Sequence, residues 1–349
     1  MILPRIALSL PFLHVLVSAT AQRWVNLAPI PNPRQEHSTV AIDENTIAVV
    51  GGVSASDVPG ESTDLVQLYS ISSNTWRTVA PIPFRVNHPN VAAVGGKIYV
   101  LGGLVDDPTG TPGSVDWIAS GESHVYDPTN NSWTTLESMP NGTERGSATV
   151  GVHGKIIYLA GGMTFLNTSG QDAITPVTAF NTTSGHWQTL PSIAANIPEA
   201  RQHAAGAVVG NTFYVACGRV FPRENVRDTV FALDLKNQAA GWKTVGHFQT
   251  ARGGVTGAVV GSKFYTFGGE ANVNNPLGIF NQTDVLDLRT KKSKTLSIMA
   301  VPRHGTSAVA IRNRIYIPGG GLQQDGLPVT INGTTTFSQI TDHFDAYIV

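Results

Sequence analysis

The chain has a single cysteine, Cys217, in 349 residues, which excludes an internal disulfide. Charged residues make up only 13% of it, against about a quarter in an average soluble domain, and the formal net charge is -1. Neither the basic footprint of nucleic-acid binding nor electrostatic capture by an anionic membrane is therefore expected. No apolar run is long enough to cross a bilayer as a helix, and no long helical periodicity is present. What the chain does have is Ser, Thr, Asn and 36 glycines.

The glycines are ordered. Six pairs or near pairs, Gly51-Gly52, Gly102-Gly103, Gly161-Gly162, Cys217-Gly218, Gly268-Gly269 and Gly319-Gly320, fall at steps of 51, 59, 56, 51 and 51 residues. A period near fifty with several strands per unit is that of a propeller blade. Each pair closes a short apolar run such as TIAVVGG, KIYVLGG or RIYIPGG, which reads as a buried strand. A second run precedes it across a tight link, for example Gly95-Gly96-Lys97, and makes a hairpin. A third run follows after a variable loop, and a fourth carries Trp76, Trp133, Trp187 or Trp242. Four antiparallel strands per unit predict an all-β, six-bladed propeller over residues 22–349.

The sixth unit reaches Val349 with only three strands, while Arg23-Trp24-Val25-Asn26-Leu27 is a fourth strand without a blade. The N-terminal strand is thus expected to complete the last blade and remove an open edge. Thr295 stands where blade five should carry its tryptophan, so one seam is expected to pack less well. Residues 1–21 have the layout of a secretory signal peptide: Arg5, an apolar stretch from Ile6 to Val17, and Ala19-Thr20-Ala21. Sequons at Asn130, Asn141, Asn167, Asn181, Asn281 and Asn332 agree with a secreted, N-glycosylated protein that leaves the membrane after cleavage.

The glycine pair after an Ile-Tyr-Val type strand, the outer-strand tryptophan and the arginine leading into the next blade resemble the kelch repeat, from about Gln22 to Val349. Kelch rings host enzymes, adaptors and lectin-like modules, so the resemblance implies the fold and leaves the function open. Cys217 replaces the first glycine of a pair, where a small buried residue is wanted. The copper site of galactose oxidase has no counterpart here. The Glu-x3-Asp ladder of the iron-dependent nitrile-specifier proteins appears once, at Glu224 and Asp228, and then fails at Ala232. No metal and no cofactor are expected.

The long loops, at residues 104–122, 163–175, 219–227, 270–282 and 321–341, all emerge on one side of the ring, where binding sites usually sit. The start of each innermost strand brings basic residues to that face: Arg34 with His37, Arg85 with His88, Arg145, Arg201 with His203, Arg252, and Arg303 with His304. Counted back from the glycine pairs, His37, His88 and His203 share one register, fourteen residues before each. Two readings stand for the arginines: stitching of blades, or a funnel that stabilises an oxyanion beside proton donors. Catalytic candidates are Arg34, His37, Arg85, His88 and His203; substrate-binding candidates are Trp117, Arg145, Arg201, Arg219, Arg252, Glu270 and Arg303. Trp117, outside the blade register, either covers the funnel or packs its loop onto the ring.

A secreted single-ring chain of this kind resembles the kelch-like proteins of fungal natural-product clusters, including hetero-Diels-Alderases that make tropolonic sesquiterpenoids. That resemblance implies a cofactor-independent enzyme acting on a small, partly apolar substrate, by dehydration to a quinone methide and cycloaddition. The other class is a secreted module that binds a glycan or a protein.

Overall fold

The computed structural model describes residues 23–54, 60–110, 115–331 and 333–349. The expected leader and the sequon at Asn332 lie outside the described residues. Six four-stranded antiparallel units follow one another around an axis. Blade one, Ser38–Ala41, Thr46–Val50, Val66–Ser70 and Thr75–Thr78, sets the pattern of inner to outer strand. The inner strands of the other blades are Val91–Val94, Thr149–His153, Ala205–Val209, Thr256–Val260 and Val309–Ile311; each neighbours the next, and the last returns to the first.

The last blade is closed by the N-terminus as expected. Arg23–Asn26 pairs antiparallel with Phe344–Ile348, with Trp24 opposite Tyr347. It covers the edge that Phe344–Ile348 would otherwise present and makes the last blade four-stranded like the others.

The glycine pairs let neighbouring chain segments touch. Gly52 has φ 103°, and a Cβ there would stand 2.5 Å from the Gln35 carbonyl oxygen; an L side chain fits neither the angle nor the gap. The tryptophans tie the blades in series. Trp76, Trp133 and Trp242 each donate an indole N–H to a carbonyl in the preceding outer-strand turn, at Ala28 (2.9 Å), Ala80 (2.9 Å) and Ala194 (3.0 Å). Blade five lacks this tie. There Thr295 bonds Asp284 within its own blade, and Gln249 bridges the seam by donating to Ser293 O at 3.0 Å.

Two of the expected long loops, at 104–122 and 163–175, are partly strand. Lys97–Asp106 and Asp116–Asp127 continue the second hairpin beyond the glycine pair, and Phe165–Asn167 adds to its edge. Apolar Leu104, Trp117 and Leu166 on these extensions bury against one another and Met163, which is why the chain stays extended there.

Candidate functional site at the axis

The first residue entering each blade forms a β-bridge with the residue just past the glycine pair: Asn87 with Leu104, Gly146 with Met163, Gln202 with Arg219, Gly253 with Glu270, His304 with Gly321, and Gln35 with Val53 in blade one. The next residue in every blade has positive φ: Glu36 (53°), His88 (46°), Ser147 (53°), His203 (53°), Gly254 (59°) and Gly305 (57°). This left-handed turn costs glycine nothing and costs other residues strain. Blades five and six use glycine; blades one, two and four place Glu36, His88 and His203 there, facing the axis.

The structural equivalent of His88 and His203 is therefore Glu36, and the expected register of His37 is corrected by one residue. The hairpin of blade one has three turn residues, Asp43-Glu44-Asn45, between Ile42 and Thr46, whereas blade two has only Gly95-Gly96. A count back from the glycine pair slips by that residue. His37 instead points to the seam with blade six, its Nε2 donating to Pro318 O at 3.0 Å. Burial, reinforced by Arg34, pushes its pKa down to about 3, so it stays neutral.

Glu36, His88 and His203 converge. His88 Nε2 lies 2.9 Å from Glu36 Oε2 and 3.0 Å from His203 Nε2, and His203 Nε2 lies 3.6 Å from the same carboxylate oxygen. All three are buried. Burial alone would raise the Glu36 pKa, but His88 and His203 more than offset it and hold it well below the carboxylate range. Burial, with Arg219, lowers His203 to about 4. These groups cap one end of an axial channel of about 360 Å³, walled by Val40, Ala93, Val152 and Val309 of the inner strands. Those walls are half-buried, so solvent reaches the channel from the tight-turn face.

On the long-loop side the axis is filled. Arg219 and Glu270, each directly after a glycine pair, do point inward as expected, and they pair with each other at 2.5 Å, both almost wholly buried. His304 Nδ1 sits 3.6 Å from Glu270 Oε1 and 3.9 Å from Glu36 Oε1, while its Nε2 donates to Gln323 O. Trp117 is not a cover over an open funnel: it is buried, its indole N–H donates to Gly60 O at 3.0 Å, and its ring packs 5.5 Å from that of His88. One half of this plug is thus apolar (Val53, Leu104, Met163, Trp117) and the other charged.

The expected arginine ring does not reach the axis. Arg34, Arg145, Arg201, Arg252 and Arg303 are fully buried inside their own blades, bonded to the carbonyls of Leu65, Leu159, Cys217, Gly268 and Ile317 at 2.7–3.0 Å. Arg252 and Arg303 also pair with buried Asp284 and Asp345. Their guanidinium groups close the gap left where the second and third strands part, a structural task. Arg85 stands one residue before Val86, which takes that place in blade two; its side chain is 48% exposed and bonds Ser62 O and Glu61. Of the sequence candidates, His88, His203, Arg219 and Glu270 come together. Glu36 and His304 complete the group, and the three-residue turn of blade one was the one sequence signal for Glu36.

The KLHDC2/KLHL20/DRC7 Kelch-repeats domain family matches residues 12–218. Kelch-like protein terF of Aspergillus terreus is 37% identical over 304 residues, covering 85% of this chain and 63% of that protein. N-acetylneuraminate epimerase of Pasteurella multocida is 24% identical over 315 residues (73% and 79%), and alpha-scruin of Limulus polyphemus 25% over 305 (85% and 26%). The chain thus spans less than two thirds of the terF protein and about a quarter of alpha-scruin. The repeated glycine-pair blades, the tryptophan ties and this similarity together place the chain in the kelch-repeat family of β-propeller proteins.

Proposed function

We propose that the chain is an enzyme that converts a small, partly apolar molecule in the axial channel, with Glu36, His88 and His203 handling the proton. One placement carries this reading: three titratable side chains from three blades, held at positive φ, meet at the closed end of a channel lined by apolar side chains such as Val40, Val152 and Val309 and by hydroxyl groups such as Ser147 and Thr306. Strained polar residues beside a cavity are a functional signature more than a stabilising one.

Within the reaction class that the resemblance implies, a hydroxymethyl group beside a ring hydroxyl loses water. The ring O–H gives its proton to neutral His203 Nε2, His88 Nε2 relays it across 3.0 Å to the departing hydroxyl as the C–O bond breaks, and a quinone methide and water result. Its conjugated C=C–C=O unit then adds across an olefin, forming one C–C and one C–O bond with no atom lost. Glu36, kept ionised, holds the charge opposite the histidines. Alignment of the two partners in one narrow channel supplies the entropy term of an intermolecular addition. Secretion and N-glycosylation belong to the same reading, supported by the exposed sites of Asn130 and Asn141.

The test incubates purified protein with a hydroxymethyl-substituted phenol or tropolone and a cyclic olefin. The expected product has the summed mass of both less one water, forms as one stereoisomer and forms faster than without protein. Equal rates with and without protein, together with retention on a glycan array, would contradict the reading and favour a binding module.

A further inference from the structure

We propose that Glu36 Oε2, His88 Nε2 and His203 Nε2 together hold one divalent first-row transition-metal ion at the closed end of the axial channel. The inference uses the centre assigned above but does not depend on the reaction assigned to it.

The hydrogen bonds behind the histidines decide which ring nitrogens carry protons. Ser62 Oγ donates its one hydrogen to Asp106 at 2.9 Å, so it accepts from Asn87 Nδ2 at 2.8 Å. That fixes the Asn87 amide with its oxygen toward His88 Nδ1, 2.5 Å away. Gln202 Nε2 donates to the Asp172 carbonyl at 3.2 Å, which turns the Gln202 amide oxygen toward His203 Nδ1. Both imidazoles therefore donate from Nδ1, and in its neutral form each ring presents a lone pair at Nε2.

The two lone pairs face each other across 3.0 Å, with the carboxylate oxygen at 2.9 and 3.6 Å. Three electron-pair donors this close repel unless a positive centre lies among them. An ion bound to imidazole nitrogen and carboxylate oxygen at about 2.0–2.2 Å sets its ligands about 2.8–3.6 Å apart, from a right angle to a tetrahedral one. The observed separations lie within that range. Anchoring the remote ring N–H on a fixed oxygen is how metal-bound histidines are oriented. The nearby Glu270 carboxylate is matched by Arg219 at 2.5 Å, while His304 stands 3.6 Å from Glu270 and 3.9 Å from the far oxygen of Glu36, leaving Glu36 Oε2 to face only the two imidazoles.

Two imidazoles and one carboxylate suit zinc, iron(II), cobalt or nickel rather than calcium or magnesium. Three protein donors, with the channel on the remaining side, leave a position for water or a substrate oxygen. The expectation of a metal-free protein rested on the missing copper-site counterpart and on the ladder that fails at Ala232; Glu36, which it did not consider, completes a ligand set with His88 and His203.

The experiment measures metal per chain in purified full-length protein by plasma mass spectrometry. It then titrates chelator-stripped protein with Co2+, read by visible absorption, with Zn2+ as competitor. One ion per chain is expected. Glu36→Gln and His203→Asn should each weaken Co2+ binding by about a hundredfold or more, Gln202→Leu by about ten- to a hundredfold, and His186→Asn, on the surface, not at all. Because Gln202 touches no ion, its variant reports even where a ligand variant fails to fold. Wild type that takes up no ion, with a proton shared among the three groups instead, would overturn the proposal, as would binding that survives both ligand substitutions. Metal uptake without turnover leaves this site standing and removes the reaction; turnover by protein that takes up no ion does the reverse.

Discussion

Glu36 and His88 occupy the same place in consecutive blades, with φ of 53° and 46°, and their side chains meet at 2.9 Å beside the axis. In a ring of repeats, one left-handed turn per blade aims one side chain inward, so equivalent positions become neighbours in space. Chemistry can be assembled from residues far apart in sequence by changing only those positions.

Closure by the N-terminal strand makes the whole ring depend on a short segment. Trp24 packs against Tyr347 and Phe267, with centroids at 5.0 and 5.6 Å, and donates to Ile298 O at 3.1 Å. Trp24→Ala is expected to cost about 3 kcal/mol in denaturant unfolding, the low end for a large core side chain because Trp24 is half-buried. A midpoint within error of wild type would show that this strand does not hold the last blade.

The buried arginines should behave as structure. Arg252→Ala leaves Asp284 uncompensated in the interior and is expected to cost about 3–5 kcal/mol, whereas half-exposed Arg85→Ala should change stability by about 0.5 kcal/mol or less. Chemical denaturation of the two variants side by side checks the contrast.

Stability should fall in mild alkali. Burial opposes charge on His304, but Glu270, with Asp325 and Glu36, outweighs it and raises the pKa to about 9 from 6.5. A native pKa above the unfolded one gives stability that is complete below about pH 6.5 and is lost as pH rises through about 9, here up to about 3 kcal/mol. The loss over that window should be absent in His304→Gln, measured as unfolding midpoint against pH.

Cys217 should be inert in the native protein. It is fully buried, and burial pushes its thiol up to about 12, so almost no thiolate exists at neutral pH. Iodoacetamide should label it only in denaturant; native labelling at a comparable rate would contradict the burial.

The fold was legible because its signals are local and repeated: glycine pairs that permit close contact, a tryptophan on five of the six outer strands, and a strand count that required closure. The site was legible only in part. His88 and His203 stood out by register, and Arg219 and Glu270 by following glycine pairs. Glu36 was hidden because one extra turn residue in blade one shifts the count, and a count cannot see a backbone angle. The arginines were overvalued for the opposite reason: their regular spacing marks one position that five of the six blades fill with arginine, without showing that the group turns into the blade interior. Burial of Trp117 depended on Leu104 and Met163, contributed by different segments, which no local pattern reveals.

The placement of chemistry in the axial channel is tested most directly by blocking it. Ala93 is a half-buried wall residue of the channel on the inner strand of blade two. Ala93→Trp is expected to keep the wild-type melting point and to lower turnover of the phenol or tropolone and olefin pair by about a hundredfold or more, through loss of substrate positioning. Full turnover with the channel filled and the protein folded would show that the substrate binds elsewhere on the ring.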